Sequence, residues 1–167
     1  MNPLPLNPEI KIRHHIDALF GTQTFDILTQ QQDYTTRDFT FQYSKRTGRI
    51  KNFSIKNRLV ATLRTDGGLA LTIFGAMELL KDKRFKQNCV IPTEQALEFV
   101  RVGRSLFCKH VEWCGSNVEV GSDVAIIDRV DNVVAVGRAL VGHNAMGSYR
   151  KGVAVRVREG IKRTSEI

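Results

Sequence analysis

Cys108 and His110, with Cys114 four residues further on, come closest to a nucleophile or a metal site. A thiolate beside an imidazole can attack an electrophilic centre. On a strand, residues i and i+2 share a face but stand about 7 Å apart, too far for direct proton transfer. Three donors also fall short of structural zinc, which takes four. Buried thiols that serve packing are therefore expected, with no metal and no cofactor. Glu94 and Glu98 stand one helical turn apart, which suits acid–base work or simply a solvated helix face. Asp123 and Asp128 bracket a strand and would lie about 17 Å apart, so they form no pair. The phosphate-binding G-x-x-x-x-G-K-[ST], the dinucleotide-binding G-x-G-x-x-G, H-E-x-x-H and G-x-S-x-G do not occur. No catalytic activity is expected.

The cations form a stronger pattern. Lys45-Arg46-Thr47-Gly48-Arg49-Ile50-Lys51 holds four cations and no acid across a turn signal. At a mobile tip such groups suit phosphate contacts. Gly103-Arg104-Ser105 stands where a helix hands over to a strand. Glycine allows close backbone approach, Arg104 brings charge and Ser105 a hydroxyl, although the same residues also make a plain helix cap. Over residues 153–158, Val153, Val155 and Val157 alternate with Ala154, Arg156 and Arg158. A strand that buries the valines presents both guanidinium groups on its other face. There their forks match phosphate oxygens, or only keep the face soluble.

The charge balance agrees with an anionic partner. The chain has 25 Lys and Arg against 17 Asp and Glu, a net +8, with a pI near 9.7. Such a field draws polyanions: nucleic acid first, with an acidic membrane surface or an acidic protein as alternatives. Residues 1–86 hold 14 basic and 8 acidic residues, and 87–167 hold 11 and 9. The first half carries most of the excess, so a bound nucleic acid should touch both halves. With 42% hydrophobic and 25% charged residues, the 167-residue chain is neither disordered nor fibrous, and it has room for one ordinary domain or two very small ones. No apolar run approaches the roughly 18 residues of a membrane span. The first eight residues lack the basic and apolar regions of a signal peptide. Three cysteines without C-x-x-C suit a reducing, cytoplasmic compartment.

The elements that must position these groups follow from periodicity. Ile10, Ile12, Ile16, Leu19 and Phe20 predict a helix that stops at Gly21. Residues 23–37 are polar and weakly periodic, and Gln30-Gln31-Gln32-Asp33 reads as a loop or a fraying end. Phe39, Phe41 and Tyr43 alternate as a strand, and Ile50, Phe53 and Ile55 continue a second with one register slip that a bulge would absorb. Leu59, Ala61 and Leu63 form a third, and Asp66-Gly67-Gly68 turns the chain into a fourth at 69–73. A helix around Ala76–Leu80 closes an α+β unit, residues 1–86. In the second half, Pro92-Thr93 opens a helix with Ala96, Leu97, Phe99 and Val100 on its apolar face. Strands follow at 106–110, 124–127, 133–140 and 153–158, with 142–147 a turn-rich linker. Short strands plus one helix argue a small closed or nearly closed β-barrel in residues 87–167.

The ordered set Glu94–Arg101, Gly103-Arg104-Ser105-Leu106-Phe107, Val120-Gly121-Ser122-Asp123-Val124, Ala135-Val136-Gly137-Arg138-Ala139 and Lys151-Gly152-Val153-Ala154-Val155 resembles a PUA domain, an RNA-binding pseudo-barrel. In the first half, Phe41-x-Tyr43-Ser44-Lys45-Arg46-Thr47-Gly48-Arg49, Thr62-Leu63-Arg64-Thr65-Asp66-Gly67-Gly68 and Thr72-x-x-Gly75-Ala76 resemble the small domain preceding PUA in archaeal archaeosine tRNA-guanine transglycosylases. The whole looks like the C-terminal part of such an enzyme without its catalytic barrel. The resemblance implies an α+β domain followed by a mainly β PUA-like pseudo-barrel. It implies binding of tRNA or other structured RNA in a groove between Gly103, Arg104 and Ser105 and the strand carrying Arg156 and Arg158, with Arg150 and Lys151 flanking. It also implies an accessory or detached subunit in tRNA modification, partnered by a catalytic subunit. The alternative is a PUA-bearing translation or ribosome-assembly factor acting mainly through a protein partner.

Overall fold

The computed structural model describes residues 7–30 and 33–162. Helix α1 (Pro8–Phe20) starts where the Asn7 side chain accepts a hydrogen bond from the Glu9 N–H, with Pro8 in the first turn. It buries Ile12, Ile16 and Phe20 and ends at Gly21, whose φ of 114° suits glycine. The short helix α2 (Asp26–Thr29) follows. Strands β1 (Phe39–Tyr43), β2 (Ile50–Ile55), β3 (Arg58–Leu63) and β4 (Leu69–Leu71) form an antiparallel meander in chain order. Its register slip is real: Gln42 pairs with Asn52 and Tyr43 with Ile50, so Lys51 is the extra residue of a bulge. Helix α3 (Ile73–Leu79) begins at Thr72, whose hydroxyl accepts from the Gly75 N–H.

The second unit is a mixed six-stranded sheet with α4 (Glu94–Arg101) packed against it. Strands β5 (Cys89–Pro92), β6 (Leu106–Phe107), β7 (Val111–Cys114), β8 (Asp123–Ile127), β9 (Val133–Ala139) and β10 (Val153–Gly160) lie in the order β6-β10-β9-β8-β5-β7. The sheet curls into a half-barrel rather than closing, because β6 and β7 both lie at its edges. The β8 and β9 runs are almost continuously apolar because both faces are covered. Ala125, Ile127, Val133 and Val136 pack into the core of the first unit. Val124, Ile126, Val134 and Ala135 pack with Ala96, Leu97 and Val100 of α4. The two units therefore share a wall.

Four local expectations change. The weakly periodic stretch 23–37 is not merely polar: α2 and its flank bury Phe25, Ile27 and Leu28, and Phe25 lies against Phe39 and Phe53. The strand expected over 106–110 stops at Phe107, and Cys108–His110 form a 3-10 turn. Cys108 and His110 thus share no strand face. Residues 142–147 hold a short helix, α5 (His143–Met146), which buries Met146. Phe99 is 55% exposed. At 100° per residue it lies well off the stripe of Ala96, Leu97 and Val100.

Candidate nucleic-acid interface

The basic hairpin is a local construction. Ser44 N–H donates to the Arg49 carbonyl and Gly48 N–H to the Ser44 carbonyl, both at 2.8 Å, closing a tight loop between β1 and β2. Gly48 takes φ 66°, a conformation glycine adopts at little cost. Lys45, Arg46, Arg49 and Lys51 are all exposed. Among the described residues, no ion pair involves any of them. The bulge places Lys51 beside Tyr43, Lys45 and Asn52 along a shallow groove.

The loop after α4 is built on backbone crossing backbone. Gly103 has φ 93°, its N–H donates to the Val100 carbonyl, and Arg104 N–H donates to the Phe99 carbonyl at 3.0 Å. A Cβ on Gly160 would overlap the Arg101 carbonyl and crowd the Gly103 nitrogen, so the end of β10 seats directly on this loop. Arg104 lies 5.7 Å above the Phe99 ring. Arg104, Ser105, Phe99, Phe107 and His110 line a cleft of about 410 Å³. The cleft's exposed phenylalanines escaped sequence reading because alternation alone marks Phe107 only as the residue opposite Leu106. Nothing on β10 lines this cleft, so Gly103-Arg104-Ser105 and Arg156 are not two walls of the same one.

Strand β10 separates its two arginines. Arg156 pairs in register with Arg138 of β9 and stands exposed. Gly137, next to Arg138, allows the strands to approach: a Cβ there would overlap the Arg156 carbonyl. Val157 then pairs with Gly137 and Glu159 with Val136, so Arg158 is the extra residue of a second bulge. Bulges re-aim side chains. The Arg158 guanidinium donates to Asp123 Oδ1 at 2.8 Å, to Asp123 Oδ2 at 3.0 Å and to the Leu71 carbonyl at 2.6 Å. Asp123 in turn accepts the Leu71 N–H at 2.7 Å. Burial pushes the Asp123 carboxyl up, while Arg158 and the Leu71 N–H oppose it. The freely solvated outer face expected for Arg158 is thus corrected. Arg150 and Lys151 are exposed on the turn before β10.

The thiols are poor nucleophiles. Burial raises the Cys89 and Cys108 thiols and pushes Cys114 up to about 11. His110 Nδ1 lies 3.5 Å from the Thr93 hydroxyl. Among the described residues no cluster of three His, Cys, Asp or Glu side chains could hold a metal. No helix of the described residues is long and apolar enough to cross a membrane.

A helix-led meander running into a half-barrel with a glycine loop under its last strand is the architecture of a PUA-bearing protein. Residues 90–161 match the PUA domain, and residues 11–84 match the patch-forming domain C2 of tRNA-guanine transglycosylase. The chain carries both domains and is homologous to the C-terminal region of archaeal tRNA-guanine transglycosylases. The tRNA-guanine(15) transglycosylase of Picrophilus torridus is 34% identical over 120 residues, 72% of this chain and 19% of that protein. That of Thermoplasma acidophilum is 33% identical over 151 residues, 90% of this chain and 23% of that protein. The chain spans about a fifth of the length of these curated relatives. A hypothetical protein of Pyrococcus horikoshii OT3 superposes with a TM-score of 0.72 at 13% identity, covering 98% of this chain and 96% of that one. A PUA domain of Aeropyrum pernix K1 gives 0.62 at 16%, covering 97% and 86%. These two likenesses are of fold.

Proposed function

We propose that this protein binds tRNA or another structured RNA and acts as the RNA-gripping part of a tRNA-modifying assembly, with a catalytic subunit as its protein partner. The reading places it in the cytoplasm and gives it no catalytic step of its own. Its two working parts are residues 1–86 and 87–167. The observation that carries the proposal is the coincidence of tRNA-guanine transglycosylase relatives with exposed cations that form no ion pair among the described residues, at the hairpin tip and at Arg156. Lys45, Arg46, Arg49 and Lys51 supply phosphate contacts from the first part. Gly103, Arg104 and Ser105 supply a backbone approach, a guanidinium and a hydroxyl. Arg156, flanked by Arg150 and Lys151, supplies a bidentate phosphate contact. Arg158 serves the same surface indirectly, by tying down the strand that carries Arg156. The test is binding of the full chain to a tRNA transcript across a salt series. With about five phosphates neutralised, log K should fall against log salt with a slope of about −3.5 to −4.5. A flat response overturns the reading and leaves the +8 charge as a solubility feature.

A further inference from the structure

The two units leave a cleft of about 470 Å³ between the turn after β3 and the turn before β8. Arg64, Asp66, Gly68, Ser122, Asp123 and Arg138 are among its lining residues. Asp123, on the floor, is already held by Arg158 and by the Leu71 N–H. The carboxylate left facing the opening is Asp66. It accepts from Arg64 at 2.7 Å and from the Gly68 N–H at 2.9 Å. Arg138 reaches toward the same carboxylate from the other unit but stops at 3.8 Å, beyond hydrogen-bond range. Arg138 also has Arg156 directly across the strand pair. Like charges placed directly opposite on a sheet destabilise it. On its other side Arg138 stands in register with Asp123, whose carboxylate is taken up by Arg158 and the Leu71 N–H, so the long ion pair with Asp66 is the looser hold on this arginine pair.

The geometry points to a phosphate site in this cleft, in which Arg138 and Arg64 take a backbone phosphate of RNA and Asp66 is the internal anion that occupies their charge until the RNA arrives. Arg156, next to Arg138 on the sheet, carries the binding surface from the cleft onto the outer face. The site draws on residues from both units, so bound RNA would bridge them. Asp66 sits on a hairpin turn, half exposed, where it can withdraw without disturbing the core. The His15 ring, 2.9 Å from the Gly67 carbonyl, steadies the turn from α1. The inference rests on the RNA-binding reading above.

The test uses the full chain and a fluorescently labelled tRNA transcript. Asp66→Asn keeps an oxygen for the Gly68 N–H but removes the competing charge. It should tighten binding about three- to tenfold. Arg138→Ala should weaken binding about tenfold and make the salt slope shallower by about 0.7–0.9, the loss of one phosphate contact. Arg138→Lys should recover part of the affinity, since a point charge cannot fork. Thermal unfolding of each variant is measured alongside. If Asp66→Asn leaves the affinity unchanged, Asp66 does not compete with a phosphate and the proposal fails. It fails equally if Arg138→Ala lowers the unfolding temperature but not the affinity, which would make the Arg138–Asp66 approach a tie between units only. Tight, salt-sensitive binding by the unaltered chain with both variants neutral would sink this site and leave the general reading standing. No salt-sensitive binding by the unaltered chain would sink both.

Discussion

At Arg156 the guanidinium stands in solvent with only another arginine across the strand pair, whereas at Arg158 a bulge swings the same group onto a carboxylate that is 4% exposed. The hairpin tip at Lys45 and Arg46 resembles the first case: local turn hydrogen bonds hold the backbone and leave the cations free. A free cation can meet a ligand at no cost to the fold. A cation that satisfies a buried acid cannot leave it without stranding a charge. Availability is thus set by backbone register and burial of the partner, not by residue type.

Four variants would break or sharpen that distinction, and they are ordered by the size of the effect. Val155 is fully buried on the opposite face of β10, so Val155→Asp should abolish folding, read as loss of the far-UV circular dichroism spectrum. Retention of native structure would mean that the core side of β10 has been misread. Arg158→Ala should cost about 3–5 kcal/mol in denaturant unfolding, since it leaves the buried Asp123 carboxylate and the Leu71 carbonyl without their guanidinium. Arg158 is 36% exposed, so solvent should soften this loss toward the lower figure. A stability change below about 1 kcal/mol would place the pair among ordinary surface bridges.

Arg156→Ala should do the reverse. Its unfolding free energy should move by less than about 0.5 kcal/mol. Its affinity for tRNA should fall roughly ten- to hundredfold, the value of a charge-assisted phosphate contact. Unfolding of this variant would show that Arg156, like Arg158, is committed to the fold. The smallest effect is expected at the tip. Replacing both Lys45 and Arg46 with Ala should weaken different structured RNAs by a similar factor of a few, because phosphate contacts carry no sequence information. Competition assays with unrelated RNAs would expose a selective loss, and that outcome would make the tip a reader of shape or bases.

Most of the architecture was legible because its signals are local. The 39–43 alternation, the Asp66-Gly67-Gly68 turn and the Val133–Ala139 run each declare themselves within a few residues. Even the bulge at Lys51 was visible, as a break in alternation between Ile50 and Phe53. The Arg158 bulge was not. Residues 153–158 keep perfect alternation, and the extra residue is defined only by pairing with β9. Phe25, Ile27 and Leu28 were missed because α2 is a single turn, too short to show a helical period. The cleft between the units was invisible for a related reason. Arg64, Asp66 and Arg138 lie more than seventy residues apart at the extremes, and no motif links them.

The Asp123–Arg158 pair also bears on the order in which the chain can be completed during synthesis. β4 is one of the two edge strands of the first sheet, and its Leu71 N–H and C=O find their partners 52 and 87 residues later in sequence. A ribosome making this protein releases the whole meander while that edge is still open. Open strand edges recruit other strands, including those of neighbouring chains. The β4 edge is therefore capped at Leu71 only when Arg158 has emerged and docked. Slow translation through residues 72–158 would lengthen that exposed interval, and overexpression would crowd it.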